Sequence, residues 1–552
     1  MNHQNRLLIL FVSLLSSGLT LAQMPQGKTT TVRGTRHTGV TYQQLLAAST
    51  NAGNWMTYSG QYNGQRFSRL DQVNDDNAHQ LRLKWVRQIQ TRTAFETTPL
   101  VVDGVMFLTL PENKVWAVDA ATGLPYWKYD HGLPGQLAVC CGKVNRGLAI
   151  LGDTLYMGTL DAKLVALDSK SGNVRWIQTV ADSKKGYSIT GAPLIVKDMV
   201  ITGIAGGEYG IRGFLDAYDA RTGKRLWRRH TIPGPGEPGH DTWEGDSWKI
   251  GGSPTWMTGA FDPALNLLYW GVGNPGPDWN GEVRKGDNLY SDCVLAIDAD
   301  TGKIKWHFQF TPHDVHDWDA CQIPILVDRE YGGKQRKLLL WANRNAFYYV
   351  LDRETGQFLS ATQFAKQTWA AEIDPQGRPI RVPGKLPTKD GVLVWPDVSG
   401  AANWHSPTYS PQTGLYYQMA FDGAATYYLD EEAEYVPGKL FLGGFGIPNE
   451  YEEFPKSEYV SAVRALDALT GKRIWQYKVQ TKSMSGLIST AGNLVFGGAP
   501  FGSFFALNAK TGEELWTIDL GGRVHAAPIT FMADGKQYIT IAAGAALFTF
   551  GL

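Results

Sequence analysis

At 552 residues, with Lys+Arg and Asp+Glu both at 52, the chain carries no net charge. That excludes the electrostatic footprint of a nucleic-acid binder or of a protein held on an anionic membrane surface. The 62 Gly, 19 Trp and only 19% charged residues suit many short strands joined by tight turns, with aromatic rings between layers.

Residues 1–22 read as a secretory signal peptide. Arg6 supplies the positive start, 7–21 is apolar apart from a few Ser, Thr and Gly, and Ala22 offers a small residue for cleavage before Gln23. The stretch is short for a membrane span and no second candidate follows, so no integral membrane segment is expected. The mature chain, 23–552, is expected to be exported to an oxidising compartment. Farther on, LRLKWV at 81–86 reads as an outer strand that completes the last unit of a closed ring.

Cys140 and Cys141 are adjacent. Neighbouring α-carbons lie about 3.8 Å apart across a trans peptide, closer than the roughly 4.4–6.8 Å of an ordinary disulfide. A bond between them would close a small strained ring, of the kind that marks a working site; the alternative is a pair of reduced, buried cysteines. Cys293 and Cys321 bring the count to an even four, and their pairing stays open. No Cys-x-x-Cys-His occurs, so covalent c-type haem is excluded from this chain.

Self-similarity dominates the rest. AVDAATGLPYW (117–127) returns as ALDSKSGNVRW (166–176), AYDARTGKRLW (217–227), AIDADTGKIKW (296–306), ALDALTGKRIW (465–475) and ALNAKTGEELW (506–516). VLDRETGQFLS (350–360) keeps the Asp and Thr-Gly without the Trp, and the fainter SPQTGLY (410–416) makes an eighth copy. The apolar-Asp pair ends a strand, Asp-x-x-Thr-Gly turns the chain with Gly where φ is positive, and the next strand brings a Trp to pack between neighbouring sheets. A spacing of about 40–80 residues matches one four-stranded blade plus loops. The expected fold is all-β, an eight-bladed β-propeller with tryptophan-docking repeats, forming a single domain over 23–552. Excursions at 228–255, 275–292, 366–402 and 424–460 are expected to wall and cover a pocket on one face. The last holds Asp430, Glu431, Glu432 and YEEF at 451–454, which also fit a solvated acidic loop.

The repeat and the cysteine pair occur together with WMTYSG (55–60), QRFSRL (65–70), CCGKVNRG (140–147), GGEYGIRG (206–213), TWEGDSWKIGG (242–252), NLLYWGVGNP (266–275), TPHDVHDWD (311–319) and NRN (343–345). In that order and spacing the whole mature chain resembles the quinoprotein alcohol dehydrogenases, the pyrroloquinoline quinone (PQQ) enzymes of the methanol and ethanol dehydrogenase family. The resemblance implies that a Cys140–Cys141 disulfide covers one face of PQQ and Trp256 the other. Arg146 would pair with a PQQ carboxylate, for which its rigid donor fork is suited. Glu96, Thr190, Gly206, Gly207, Arg344 and Asn403 match further cofactor-binding positions. Glu208 and Asn274 match metal ligands, and Asp317 matches the catalytic carboxylate that also touches the metal. Oxygen donors suit a hard cation.

Asp319 lies two residues beyond Asp317; in an extended segment both would face one side and reach one ion. Within the resembled family an aspartate there accompanies a lanthanide, so a light lanthanide ion is expected, with calcium second. The alternative is that Asp319 faces away and caps a turn. The implied reaction oxidises a primary alcohol to an aldehyde, with Asp317 as base, the metal polarising the C5 carbonyl, hydride passing to C5, and Arg344 bonding the developing oxygen anion. Electrons would leave to a separate soluble cytochrome c, in the periplasm, and the resemblance is compatible with a homodimer. Departures from the family pattern are Met484 in place of a tryptophan, Pro254 in place of a threonine, and a C-terminus without the usual Gly-Trp stretch. Two other readings remain: a non-catalytic periplasmic propeller scaffold, and a PQQ dehydrogenase of a larger alcohol, polyol or aldehyde.

Overall fold

Strand after strand runs antiparallel to the one before it, because each copy of the repeat carries its own turn. The computed structural model describes residues 27–35, 37–448, 460–479 and 481–552. The expected signal peptide and the acidic stretch 451–454 lie outside the described residues. Among these residues, eight successive sheets have four or five strands each. The result is an all-β propeller. Sheets are antiparallel but for the short strand Phe67–Ser68, which joins Ile488–Thr490 in parallel.

Each Asp of the repeat folds its own turn. Asp119 accepts from the Thr122 backbone N–H and hydroxyl at 3.0 and 2.8 Å, and Asp219, Asp298 and Asp467 do the same with Thr222, Thr301 and Thr470. A register shift recurs at the same place in all seven clear copies, between Ala117 and Val118 in the first. Such a bulge adds local twist and re-aims the side chains that follow.

The Trp of one sheet then reaches the turn of the next. Trp127 donates Nε1–H to the Ser169 carbonyl at 3.0 Å, and Trp176, Trp227, Trp306 and Trp475 donate to Ala220, Ala299, Arg353 and Ala509. Beneath each ring lies the turn glycine: a Cβ on Gly172 would sit 2.5 Å from Trp127. Where the fifth sheet has lost its Trp, Tyr348 substitutes, donating to the Ala468 carbonyl at 2.8 Å beside Gly471.

The 410–416 segment does not mark a sheet of its own. It is the turn between Thr408–Ser410 and Leu415–Asp422, in the sheet that also carries the 465–475 copy. The remaining sheet has no Thr-Gly repeat: Ile529–Ala533, Lys536–Ala543 and Ala546–Gly551 are joined by Arg82–Gln88. Its Trp85 donates to the Ala120 carbonyl at 3.1 Å and covers Gly123 of the first sheet. Two of the long excursions meet, Val392–Val394 pairing with Ala425–Leu429 and the latter with Gly444–Pro448. They pack against the 275–280 loop, where the Trp279 N–H donates to the Leu442 carbonyl.

Candidate active site

Four segments from three sheets converge beneath those excursions. Glu208 sits on a single 3-10 turn, Gly207–Tyr209, flanked by left-handed Gly206 (φ 117°) and Gly210 (φ 63°). The Phe441 N–H of the long insertion donates to the Glu208 carbonyl at 2.7 Å. Asn274 follows the strand Leu267–Gly271, and its carbonyl accepts from Ser253 N–H at 2.9 Å. Gly273 is required here: a Cβ would lie 2.1 Å from Asp319 Oδ1.

Asp317 and Asp319 occupy the loop after Ile304–Gln309. The segment is not extended, since Asp317 has φ 62°. The turn is folded by the Asp314 carboxylate, which accepts from the N–H groups of His316 and Trp318 at 3.0 and 2.8 Å. Trp318 is buried away from the pair, stacked on His316 and donating to the Asp397 carbonyl. The two carboxylates do converge, but on Arg344 rather than by strand alternation. Its Nη1 donates to Asp319 Oδ2 and its Nη2 lies 3.4 Å from Asp317 Oδ2 while donating to the Val398 carbonyl at 2.6 Å. Asp319 does not face away: its Oδ1 also accepts from Asn274 N–H at 2.9 Å, with Trp256 Nε1 at 3.4 Å.

Cys140 and Cys141 form a disulfide and are exposed, not buried and reduced. Glu208 Oε1 lies 3.3 Å from the Cys140 sulfur. Cys293 and Cys321 are free and buried. Arg146 and Glu96 pair with each other at 2.8 Å. The guanidinium lies between the Trp256 and Trp404 rings, 5.0 and 4.6 Å from their centroids. Its Nε and Nη1 are buried and have no hydrogen-bond partner among the described residues. Thr190 contributes its carbonyl to Arg146 N–H at 3.0 Å. Asn403 donates to the Ser399 carbonyl at 2.8 Å and accepts from Trp404 N–H. Met484 packs with Trp256 on a small apolar cluster that includes Trp404 and Met257.

The electrostatics are lopsided. Burial, and then Asp319, push the Glu208 carboxyl up to about 7 against the pull of Arg344. Burial raises Asp317 well above the usual carboxylate range; Arg344 opposes this, while Asp319 and Glu208 add to it. Burial alone would lower the Arg344 guanidinium, but Asp317 and Asp319 outweigh it. Asp317 and Asp319 share the Arg344 guanidinium while Glu208 lies against the disulfide, and carboxylate oxygens of this kind fit a hard cation. Donors on Arg146 without a partner among the described residues, on a guanidinium held between two indoles, fit a planar anionic group.

Sequence reasoning missed Trp404, the Val398 carbonyl and the Glu96–Arg146 pair. Each depends on which loops meet, which no local spacing encodes.

The family profile described as glucose/ethanol/alcohol dehydrogenase, beta-propeller domain, matches residues 55–364, more than half of the chain. A second, described as outer membrane protein assembly factor BamB, matches 460–548. The chain is 42% identical over 523 residues to quinohemoprotein alcohol dehydrogenase ADH IIB of Pseudomonas putida, covering 92% of this chain and 75% of that protein. It is 40% identical over 561 residues to quinoprotein alcohol dehydrogenase PedH of Pseudomonas putida, covering 97% and 91%. A solved europium-containing methanol dehydrogenase matches at TM-score 0.87 and 35% identity, covering 92% of this chain and 100% of that one. Fold and profile define the class, a β-propeller dehydrogenase. The chain belongs to the PQQ-dependent alcohol dehydrogenase family.

Proposed function

We propose that this protein is a periplasmic oxidoreductase that converts a primary alcohol to an aldehyde with PQQ and a light lanthanide ion, calcium being the second choice. The observation that carries this reading is the convergence of Asp317 and Asp319 on Arg344, together with Glu208 against the Cys140–Cys141 disulfide. The eight sheets are read as eight blades of one domain spanning 23–552, docked mostly by tryptophan and, at the fifth, by Tyr348. Glu208, Asn274, Asp317 and Asp319 would hold the cation. Cys140, Cys141, Trp256, Arg146, Glu96, Thr190, Gly206, Gly207, Arg344 and Asn403 would hold the quinone.

When bound, the quinone supplies a two-electron acceptor and the cation a Lewis acid. Asp317 is the base that takes the alcohol's hydroxyl proton. Arg344 holds Asp317 and Asp319 in place and presents N–H groups to the substrate oxygen as negative charge develops. The Trp256–Met484 cluster shields that face from water. Electrons would pass to a separate soluble cytochrome c. The europium in a structural relative supports the trivalent ion, and Asp319 is the residue that would balance its extra charge.

The test is dye-linked alcohol oxidation by protein reconstituted with PQQ and either lanthanum or calcium. Turnover with lanthanum is expected, and Asp319→Ala should remove it, lowering the rate at least about 100-fold. Calcium-only turnover would refute the metal assignment. An Asp319→Ala protein with full lanthanum activity would refute the role of Asp319. A protein that neither turns over nor retains PQQ through gel filtration would refute the enzyme.

A further inference from the structure

Three successive backbone carbonyls each take one residue of the candidate site. The Asp397 carbonyl accepts from Nε1 of Trp318, which stands between Asp317 and Asp319, at 3.1 Å. The Val398 carbonyl accepts from Arg344 Nη2 at 2.6 Å, and the Ser399 carbonyl from Asn403 Nδ2 at 2.8 Å. The same turn grips Arg344 by its backbone, where the Ala401 N–H donates to the Arg344 carbonyl at 2.8 Å. Left-handed Gly400 (φ +72°) lies against that side chain, since a Cβ there would sit 2.5 Å from the Arg344 Cβ.

What shapes the turn is the Asp397 side chain, which is 1% exposed and has both oxygens engaged. Its Oδ1 accepts from the Ser399 N–H at 2.8 Å, and the Gly400 N–H closes on the Asp397 carbonyl at 2.8 Å, a local turn that an aspartate favours. Its Oδ2 accepts from Lys482 Nζ at 2.8 Å. Lys482 comes from the loop between Arg473–Val479 and Ile488–Thr490, which joins the sixth sheet to the seventh. The ammonium also lies 5.5 Å from the Phe421 ring centroid. A carboxylate buried this far needs a paired charge; without the ammonium it must take up a proton, admit water or move.

We propose that Asp397 and Lys482 are positioning residues for the reaction. The ammonium holds the buried carboxylate, the carboxylate holds the turn 397–400, and the carbonyls of 397–399 set the Asp317–Asp319 segment, Arg344 and Asn403 relative to one another. This rests on the reading of Asp317 and Arg344 as the groups that act on the alcohol. Two loops that belong to different sheets meet at this one ion pair, so a displaced turn is felt at three site residues together. Misplacing reacting groups by about 1 Å can cost on the order of 100-fold in rate.

The experiment compares wild type, Lys482→Met and Lys482→Arg, each loaded with PQQ and lanthanum. Two quantities are read on the same protein: dye-linked alcohol oxidation, and backbone hydrogen exchange over 397–403 by mass spectrometry. Lys482→Met is expected to lower kcat at least about tenfold while KM for the alcohol stays within about twofold. Exchange in 397–403 should quicken at least about tenfold, with the Asp-Thr-Gly turns of the repeat unchanged. Lys482→Arg, which keeps the charge, should restore both. Full kcat in Lys482→Met overturns the proposal even where exchange quickens, because the pair would then hold the turn without positioning the site. A loss of kcat with unchanged exchange overturns it too, because the effect would not pass through the turn. If wild type does not turn over, the reading of the site as an alcohol dehydrogenase falls and takes this one with it. Should Lys482→Met fail to fold, Lys482→Gln, which keeps an N–H donor without the charge, is judged by the same outcomes.

Discussion

His405 shows how a single buried side chain ties the site's surroundings to pH. It is 1% exposed, with Nε2 2.8 Å from the Met419 carbonyl, and burial pushes its pKa down to about 4 from 6.5. Because the folded value is the lower one, the unfolded chain binds the proton more readily. The contribution of neutral His405 is therefore full above pH 6.5, declines as pH falls towards 4, and is spent below that. The shift corresponds to about 3 kcal/mol. Denaturation measured between pH 7 and 4 should show His405→Asn to be less stable at pH 7 but flatter in its pH dependence by about that amount. A slope equal to wild type would contradict it. At this scale residue types were legible: carboxylates, an asparagine and arginines in the right order pointed to a cation and an anion. What they touch was not. Arg146 and Glu96 pair with each other, and the Asp317–Asp319 pair converges through a left-handed residue and Arg344 rather than through strand alternation.

The repeat works as a ring-on-glycine contact, renewed at seven of the junctions between sheets, while Trp516 packs on Phe504 and Phe550 instead. A Cβ on Gly223, at φ +72°, would lie 2.8 Å from Trp176, whereas one on Gly104, at φ +76°, meets nothing within 4 Å. Both substitutions to alanine carry the backbone cost of a left-handed residue, about 1 kcal/mol. Only Gly223→Ala also displaces the indole, which adds about 1–3 kcal/mol. Its melting temperature should fall clearly below that of Gly104→Ala; equal melting would show that the contact is not what sets the turn. Seven copies were legible because Asp, Thr-Gly and Trp are each demanded by the backbone or by packing. The supposed eighth, 410–416, misled because any strand–strand turn selects a similar Thr-Gly pair. Tyr348, which substitutes for the missing Trp, sits twelve residues before Ser360 and leaves no mark in the repeat.

Closure is a property of the whole chain. Arg82–Gln88 pairs with Ala546–Gly551, so the sheet completed last in the sequence borrows its outer strand from the beginning, and Trp85 carries it onto the first sheet. Ending the chain after Ala545 would strip Arg82–Gln88 of its partner and leave open edges. Such a protein is expected to be aggregated or rapidly digested in limited proteolysis, whereas a resistant core of wild-type size would show that closure is dispensable. By itself the sequence determined the all-β class, the repeat, the closing strand and the candidates for the site, because turns, periodicity and donor types act over a few residues. Only the tertiary structure decided which groups meet: Arg344 across two aspartates and Arg146 between two indoles. Those contacts join loops from different sheets, and their geometry follows from how the sheets close around one another.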